Sequence, residues 1–486
     1  MQILAIHAAP AGRALIPCAA ALVLIQLVGC ATNRPDPAAE AAASTALGLG
    51  QAIEFRTDGG PVDEAPEGGD ALTLGDAVRR AATTDPGLQA ALARVRIAMA
   101  DADQARLLPN PVLNFVLRWG PGSPQIEVSL AQDLIQAFKI PRLSSAADNR
   151  LRQAAADAVT VALDTVADVQ ERYVAVQTLE SLVPVLVERR ELLDKLVATA
   201  RARLEAQEGT RSDLTTLEAQ RVELDVDIAE AKRQLQEERL RLARLIGEPS
   251  GLAAWRVDPW TAPTLASTVE ARWIDAGLQN RPEVQAVAWT LAALGDDAAL
   301  ARLLPWEGLG VGIDAQRDGD WTVGPSVSTP IPVFDTGQAR RARVTAEQIE
   351  ARHNLTLAKR KVVEEVRVAF QSLAASAANL NRVQSELVPL QQQRRQQAED
   401  AYRAGQTDVT ALFLAEQDLR AARAKAIEVE QQMSLALVRL QRAVGGPGVA
   451  ATLGESSPTT PPAPPAVPVS SIIATPTVNV ARASNR

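Results

Sequence analysis

The sequence predicts a mainly α-helical protein with some β structure, built from two copies of one module: a helix, a β-hairpin and a pair of long helices. Three observations support this fold class. The 486 residues are 47% hydrophobic but only 3% aromatic, and the abundant alanine and leucine favour helices. Apolar residues follow helical 3,4-spacing over long stretches, whereas two short segments alternate with period two. Short motifs also recur about 196 residues apart.

Charge and residue usage exclude several classes of protein. Fifty basic and 58 acidic residues give a net charge of −8, so we expect no nucleic-acid partner. Cys18 and Cys30 cannot form a disulfide framework, and His7 and His353 lie far apart, so we expect no metal site. His353, on a predicted coiled-coil helix, is interpreted as a surface or seam residue. Phosphate-loop, zinc-protease and serine-hydrolase motifs do not occur, so we expect no enzymatic activity.

The N-terminus predicts a lipoprotein signal peptide over residues 1–29. Arg13 precedes an apolar run at 14–28 that is too short for a stable membrane span. The run ends in Leu27-Val-Gly-Cys30, which resembles a bacterial lipobox and makes Cys30 the expected lipid attachment site, with no other cofactor. The alternative is an ordinary signal peptide with an incidental cysteine. Ala31 favours sorting to the outer membrane, where acyl chains would anchor the protein without making it span.

The internal repeat is marked by pairs of motifs with a nearly constant separation. The pairs are Leu108-Pro109 with Leu304-Pro305, Asp85-Pro86 with Arg281-Pro282, Gly209 with Gly405, and Gly247 with Gly445. The first three pairs are 196 residues apart and the last is 198 apart, which is too long for a solenoid unit. The predicted segments are a flexible tether at 30–70, repeats at 71–247 and 267–446, a linker at 248–266, and a disordered proline-rich tail at 447–486.

Each repeat is predicted to begin with one helix, at 73–107 and 268–303, followed by a β-hairpin at about 112–131 and 308–329. The hairpins alternate apolar with polar or small residues, as a half-buried strand does. Each strand is expected to have about 9–11 residues, which is long enough for a tilted strand to cross a bilayer. A soluble sheet with one buried face is the alternative. Four strands cannot close a barrel, so a membrane interpretation requires several subunits to pool their strands.

The remaining sequence predicts long helical hairpins. Helices are expected at 143–207 and about 338–404, each followed beyond a glycine by a partner of about 35 residues. Apolar residues at 3,4-spacing form a seam along each partner, as in coiled coils. Pro184 and Pro389 interrupt the two long helices and should bend or break them.

This order of elements resembles the TolC family of outer-membrane efflux proteins. Three segments carry the resemblance: Leu107-Leu-Pro-Asn-Pro111, Thr329-Pro-Ile-Pro-Val-Phe-Asp-Thr-Gly-Gln338, and Tyr402-Arg-Ala-Gly-Gln-Thr-Asp408. The first is similar to the heavy-metal cation-efflux branch. The resemblance implies a homotrimer in which twelve strands form one outer-membrane β-barrel, continuous with a periplasmic α-helical barrel. It also implies an inner-membrane efflux pump and a periplasmic adaptor protein as partners, with outer-membrane lipid around the barrel.

The resemblance also implies where the working residues lie. The hairpin tips would contact the adaptor through Gly209, Thr210, Gly405 and Thr407. The family commonly has an acidic residue nine positions after each tip glycine; that position is Glu218 in the first repeat and Leu414 in the second. Candidates for the periplasmic gate are therefore Glu218, Leu414, Asp213 and Asp408. Alternatively, Glu218 is a solvated helix charge. Trp119 and Trp321, which flank the hairpin turns, would lie at the membrane interface.

Two other functions fit parts of the sequence. A periplasmic adaptor lipoprotein also has coiled-coil hairpins, but it would normally flank one hairpin with soluble β domains. A purely structural coiled-coil lipoprotein is disfavoured by the two β-hairpins. The duplicated module and the alternating strands favour an efflux channel, which would conduct substrate passively because flow direction and substrate choice belong to the pump.

Overall fold

The computed structural model describes residues 55–60, 71–120, 124–261, 263 and 268–453. The predicted signal peptide, the lipid attachment site at Cys30 and most of the proline-rich tail lie outside these residues. The chain divides into two compact units. A sheet unit contains Arg96–Leu151 and Ala293–Glu347. A hairpin unit contains residues 71–95 and 348–453 and the segment Arg152–Ala292.

The two repeats contain the same kinds of elements in the order that the sequence predicts, except that the long helix of the second repeat is divided in two and one short helix is added at its end. The first contains β1 (Ala71–Leu72), α1 (Leu74–Thr84), α2 (Pro86–Ala105), β2 (Val112–Arg118), β3 (Gln125–Asp133), α3 (Leu134–Glu205) and α4 (Arg211–Leu245). The second contains β4 (Arg256–Val257), α5 (Glu270–Asn280), α6 (Pro282–Leu300), β5 (Gly310–Asp318), β6 (Asp320–Ser328), α7 (Gln338–Arg382), α8 (Val388–Arg403), α9 (Val409–Val444) and α10 (Pro447–Thr452).

Both predicted β-hairpins are present, and they join into one antiparallel sheet. Its strand order is β2-β3-β5-β6, so β2 and β6 are the edges. Leu113 pairs with Leu130, Leu130 with Ile313, and Ile313 with Pro325. Because side chains alternate across a strand, residues in one such row share a face of the sheet.

The predicted single helices at 73–107 and 268–303 are wrong, since each is two helices. The breaks fall at Asp85 and Arg281, which have extended backbone with ψ of 114° and 118°. Each precedes a proline, and the proline ring disfavours the helical conformation of the residue before it. The same rule, applied to the Asp85-Pro86 and Arg281-Pro282 motifs, would have predicted both breaks.

The long helices differ from prediction at their prolines. Helix α3 begins at Leu134 rather than 143, and it continues as α-helix through Pro184 without a break. The interruption predicted at Pro389 is confirmed, because a π-helical turn at Val383–Leu387 separates α7 from α8. Proline lacks the N–H that would continue the α-helical hydrogen bonding, and π turns absorb such defects.

The apolar seam of α9 is confirmed by burial. Ala415, Leu419, Val429 and Leu440 are all buried. The C-terminal half of the seam packs with α5 and α7 in one core that includes Trp273. Ala450 of α10 belongs to the same core. The predicted start of the disordered tail at 447 is therefore wrong, because the fold continues through this short helix.

The predicted linker at 248–266 contributes to the fold. Its strand β4 pairs in parallel with β1. Tyr173 of α3 holds this pair, since its hydroxyl donates to the Leu72 carbonyl (3.0 Å) and accepts from the Asp258 N–H (2.9 Å). Trp260, farther along the linker, donates from Nε1 to Ser434 Oγ of α9 at 2.9 Å. A tyrosine on one helix thus connects strands that belong to different repeats.

Candidate functional site

The two hairpin tips have the same backbone geometry. In the first tip the Glu208 N–H donates to the Arg203 carbonyl at 2.8 Å, and in the second the Gln406 N–H donates to the Ala401 carbonyl at 2.9 Å. Such bonds close a helix around a residue with positive φ. That residue is Gln207 in the first tip, with φ of 61°, and a glycine at 405 in the second, with φ of 68°. The tips therefore correspond at a separation of 198 residues.

The predicted correspondence of Gly209 with Gly405 is wrong. Gly209 lies outside the positive-φ region, which Gln207 occupies instead. Glycine fits at 209 for another reason: an added Cβ would lie only 3.3 Å from the Arg203 Cβ. The separation of 198 was already visible in the Gly247 and Gly445 pair.

The corrected separation changes the second-repeat counterpart of Glu218. With a separation of 198 residues, Glu218 is equivalent to Glu416 and Thr216 is equivalent to Leu414. The expectation that Leu414 replaces the second acidic residue is therefore wrong, and each repeat has a glutamate at this position. Leu414 is nevertheless exposed at 42% on α9. The gate roles of these residues stay predictions.

Both glutamates form ion pairs with arginines of their own hairpin. Glu218 accepts from Arg201 Nη2 at 2.8 Å. Glu416 accepts from Arg395 and from Arg420, each at 2.6 Å. The Glu218 side chain is 40% exposed and the Glu416 side chain 22%. The carboxylate at 218 is thus accessible to solvent, but its charge is balanced by a neighbouring guanidinium group.

The other predicted tip residues cap the helices or connect the hairpins. Thr210 caps α4, because its hydroxyl accepts from the Asp213 N–H at 3.1 Å. Asp408 precedes α9 and forms an ion pair with Arg203 of the first hairpin. Thr407 lies exposed in the second turn. The structure therefore brings Asp408 to the first hairpin and leaves Asp213 in the first turn of α4.

Three further ion pairs connect the same two helices, α3 and α9. They are Glu188 with Arg420 at 3.7 Å, Glu171 with Arg439 at 3.2 Å, and Asp164 with Arg442 at 2.6 Å. Together with the pair of Arg203 and Asp408, we call these the inter-hairpin ion pairs. No local sequence pattern marks these pairs, because the partners lie more than 200 residues apart.

The two faces of the sheet differ in chemistry, as the alternation predicts. One face is almost entirely apolar and consists of Leu113, Phe115, Leu117, Ile126, Val128, Leu130, Gln132, Val311, Ile313, Ala315, Arg317, Trp321, Val323, Pro325 and Val327. The opposite face is polar or small except at Val112 and Val116. It carries five carboxylates, Glu127, Asp133, Asp314, Asp318 and Asp320, and one arginine, Arg118, which pairs with Glu127 at 3.0 Å.

Both predicted interface tryptophans are exposed at the turn end of the sheet. Trp119 directly follows β2 and is 77% exposed, and Trp321 is the second residue of β6 and is 53% exposed. Among the described residues, no helix has a stretch both long and apolar enough to cross a membrane. The role of Trp119 and Trp321 at a membrane interface stays a prediction.

Comparison with known proteins identifies relatives of both repeats. A family model described as "Outer membrane efflux protein" matches residues 77–248 and 273–446. The fusaric acid resistance protein FusA of Burkholderia cepacia is 29% identical over 204 residues, which are 38% of this chain and 37% of that protein. The aligned region thus spans little more than a third of this curated relative.

Solved structures support the same fold. The outer-membrane channel OprN matches with a TM-score of 0.64 at 20% identity, over 77% of this chain and 90% of that one. The outer membrane protein VceC from Vibrio cholerae matches with a TM-score of 0.62 at 16% identity, over 77% and 96% of the chains. The family model covers more than half of the sequence and includes one copy of the helical hairpin in each matched segment. The chain therefore belongs to the outer membrane efflux protein family.

Proposed function

We propose that three copies of this chain form the outer-membrane exit channel of a tripartite efflux system. The observation that carries the proposal is the four-stranded sheet, with its apolar face, its polar face and two edge strands that pair with no further strand among the described residues. In a bilayer an edge strand cannot hydrogen-bond to water, so a barrel must close. Twelve strands from three copies would close it, with β6 of each copy meeting β2 of the next in a ring.

The helical hairpins would extend into the periplasm, with their tips toward the partners. We propose that residues 209–210 and 405–407 contact a periplasmic adaptor, which connects the channel to an inner-membrane pump. The family match does not support the alternative that the chain is itself an adaptor. The channel would consume no energy and catalyse no reaction, and a lipid on Cys30 would anchor the mature N-terminus to the membrane.

The substrate would be selected by the pump rather than by this chain. FusA is named for resistance to fusaric acid, an organic acid, whereas the Leu107–Pro111 segment resembles the heavy-metal branch. The polar face of the sheet has five carboxylates and one arginine. Three copies of that face around one lumen would favour cations over anions near the exit.

Cysteine crosslinking across the sheet edges tests the assembly. Cysteine at Asn114 of β2 is combined in turn with cysteine at Thr322, Gly324 and Ser326 of β6. Across adjoining copies, at least one combination should give disulfide-linked trimers on denaturing gels. The matched control pairs cysteine at Asn114 with cysteine at Ser129, its neighbour in the same sheet, and should give only an internal link. Monomers in every combination, from a protein that carbonate extracts from membranes, would refute the channel.

A further inference from the structure

The apolar face of the sheet carries one charged side chain. Among the residues of β2, β3, β5 and β6 on that face, only Arg317 is ionised. Its guanidinium is exposed, and no described residue forms an ion pair with it. Arg118, on the opposite face, differs in both respects, because it lies among polar residues and pairs with Glu127 at 3.0 Å. Arg317 is therefore a cation with no counter-ion among the described residues, on a surface whose other side chains are nearly all apolar.

The position of Arg317 within the face is specific. It pairs in register with Ile126 on one side and with Trp321 on the other. This row is the last one on the apolar face before the turn of the second hairpin, since β5 ends at Asp318 and β6 begins at Asp320. The first strand of the sheet ends in Arg118 and is followed by Trp119. Two exposed tryptophans therefore lie at the turn end of the sheet, together with one arginine on each face, and Arg317 is the one on the apolar face.

The depth of such a site in a bilayer determines which ligand it would meet. An arginine on the lipid-facing side of a barrel costs about 2–4 kcal/mol at the midplane but only about 0–1 kcal/mol near the interface. Tryptophan is enriched at that same interface. Phosphate is the anionic group of lipid headgroups there, and a guanidinium can bind it through two parallel hydrogen bonds.

We propose that Arg317, beside Trp321 and at the same end of the sheet as Trp119, binds the phosphate of an anionic lipid in the outer leaflet of the membrane. The tryptophan rings contact the lipid below its headgroup, and the guanidinium holds the phosphate at the level of the hairpin turns. Each channel then has three equivalent lipid sites, spaced around the barrel. This inference rests on the proposed function, because it requires the sheet to be part of a membrane barrel with its turns outward.

Lipid titration of the purified full-length channel tests the site. The probes are a phosphorylated lipid A glycolipid and its dephosphorylated counterpart, and bound lipids are counted by native mass spectrometry. The wild type should bind the phosphorylated lipid about tenfold more tightly, corresponding to 1.4 kcal/mol, and should saturate at three per trimer. Arg317→Gln should abolish this preference. Arg118→Gln, which removes an arginine at the same end of the opposite face, should retain it.

Single-channel conductance of the same samples distinguishes a failure of the lipid site from a failure of the channel. A wild type that forms pores but binds both lipids equally overturns the phosphate site. An unchanged preference in Arg317→Gln overturns the role of this arginine. A wild type that forms neither trimers nor pores refutes the proposed function, and the lipid site with it.

Discussion

At the scale of single residues, Tyr173 joins both repeats through one hydroxyl group. The ring is almost completely buried at 2% exposure, and burial raises the pKa of the phenol to about 12. The hydroxyl therefore stays protonated at physiological pH and can donate to the Leu72 carbonyl while it accepts from the Asp258 N–H. The Leu72 carbonyl is buried and would lose this partner without the hydroxyl, whereas the Asp258 N–H lies in a partly buried site.

We expect Tyr173→Phe to destabilise the protein, because it removes the oxygen and keeps the ring. Leaving a buried polar group unsatisfied costs about 1–3 kcal/mol. The apparent melting temperature, followed by circular dichroism, should fall by several degrees. Tyr402→Phe is the matched control, since Tyr402 is exposed near the second tip and its loss should change little. Equal melting temperatures for the two variants would contradict the role of the hydroxyl.

Glu283 is the acidic centre of a second polar cluster, where the second repeat is held to α3. It accepts from Arg281 at 2.9 Å and from Arg442 at 2.6 Å, and Arg442 also donates to Asp164. Burial alone would raise the pKa of Glu283, but the two guanidinium groups outweigh it and lower the pKa to about 2. The carboxylate is therefore more acidic in the folded protein than in the unfolded chain.

This pKa shift predicts acid sensitivity. A lowered pKa stabilises the fold fully above the ordinary glutamate pKa of about 4.5, and the contribution is lost as the pH falls toward 2. Between these values, Glu283→Gln should lose less stability than the wild type, although it is less stable at pH 7. Thermal melting measured from pH 7 to pH 2.5 tests this.

Glu230→Gln provides the control for the acid experiment. Hydrogen bonds from Arg233 and Gln234 lower the pKa of Glu230 to about 2 as well, but it lies on an exposed face of α4. Solvent and salt screen such pairs. Its substitution should leave the pH dependence of melting nearly unchanged. A matching effect of both variants would show that surface charge, rather than the Glu283 cluster, determines the acid response.

The turn of the first hairpin tip could not be located correctly from the sequence. A glycine predicts the position of each turn, since it tolerates positive φ at no steric cost. In the first tip a glutamine adopts that conformation instead, so Gly209 was matched to the wrong position. The true partner of Glu218 is Glu416, and a sequence comparison anchored on the helix ends at 247 and 445 would have found it.

At the scale of elements, periodicity predicted which segments are strands and which are helices. The period-two alternation identified both β-hairpins, and the 3,4-spacing identified the partner helices of about 35 residues. Prolines were less informative. Pro184 lies inside α3 without ending it, because flanking residues such as Leu186 and Leu193 are buried in a core with α4. Tertiary packing there offsets the cost of a missing hydrogen bond.

The π turn before Pro389 predicts a local difference in mobility. Helix α8 has no buried residue, so packing does not compensate for the interrupted hydrogen bonding. We expect Pro389→Ala to supply the missing N–H and to slow amide hydrogen exchange over residues 383–392 severalfold, as measured by mass spectrometry. Pro184→Ala, in the well-packed helix, should change exchange far less. Faster exchange in Pro389→Ala would show that proline stabilises this turn.

At the scale of the whole molecule, the sequence predicted the duplication but not how the copies are joined. The inter-hairpin ion pairs link residues that are 205 to 278 positions apart, and the β1–β4 pair links the start of one repeat to the start of the other. Such contacts have no local signature, because they depend on which helices become neighbours in three dimensions. Composition and motif spacing therefore predict the two modules, whereas long-range packing determines how the modules are joined.

The gate candidates predict a selectivity that belongs to the assembled channel. Glu218→Gln would leave Arg201 without its partner, and three copies would shift the entrance by three charges. The reversal potential in a KCl gradient should therefore become less cation-selective. Leu414→Ala should raise the leak by removing an exposed apolar side chain. Glu237→Gln serves as the control, because Glu237 lies on α4 farther from the tip. An unchanged reversal potential in Glu218→Gln would place the Glu218 side chain outside the ion path.

The two free edges of the sheet also determine how such a protein can be made. A lone chain presents unpaired backbone groups along β2 and β6, and such edges are templates for aggregation. A single copy is unstable in both environments. In the water of the periplasm its apolar face is exposed, and in the bilayer the backbone groups of its edge strands lack hydrogen-bond partners. If the copies pool their strands as proposed, we expect membrane insertion and association of the copies to occur as one concerted event. Its yield should rise steeply with the local supply of newly exported chains.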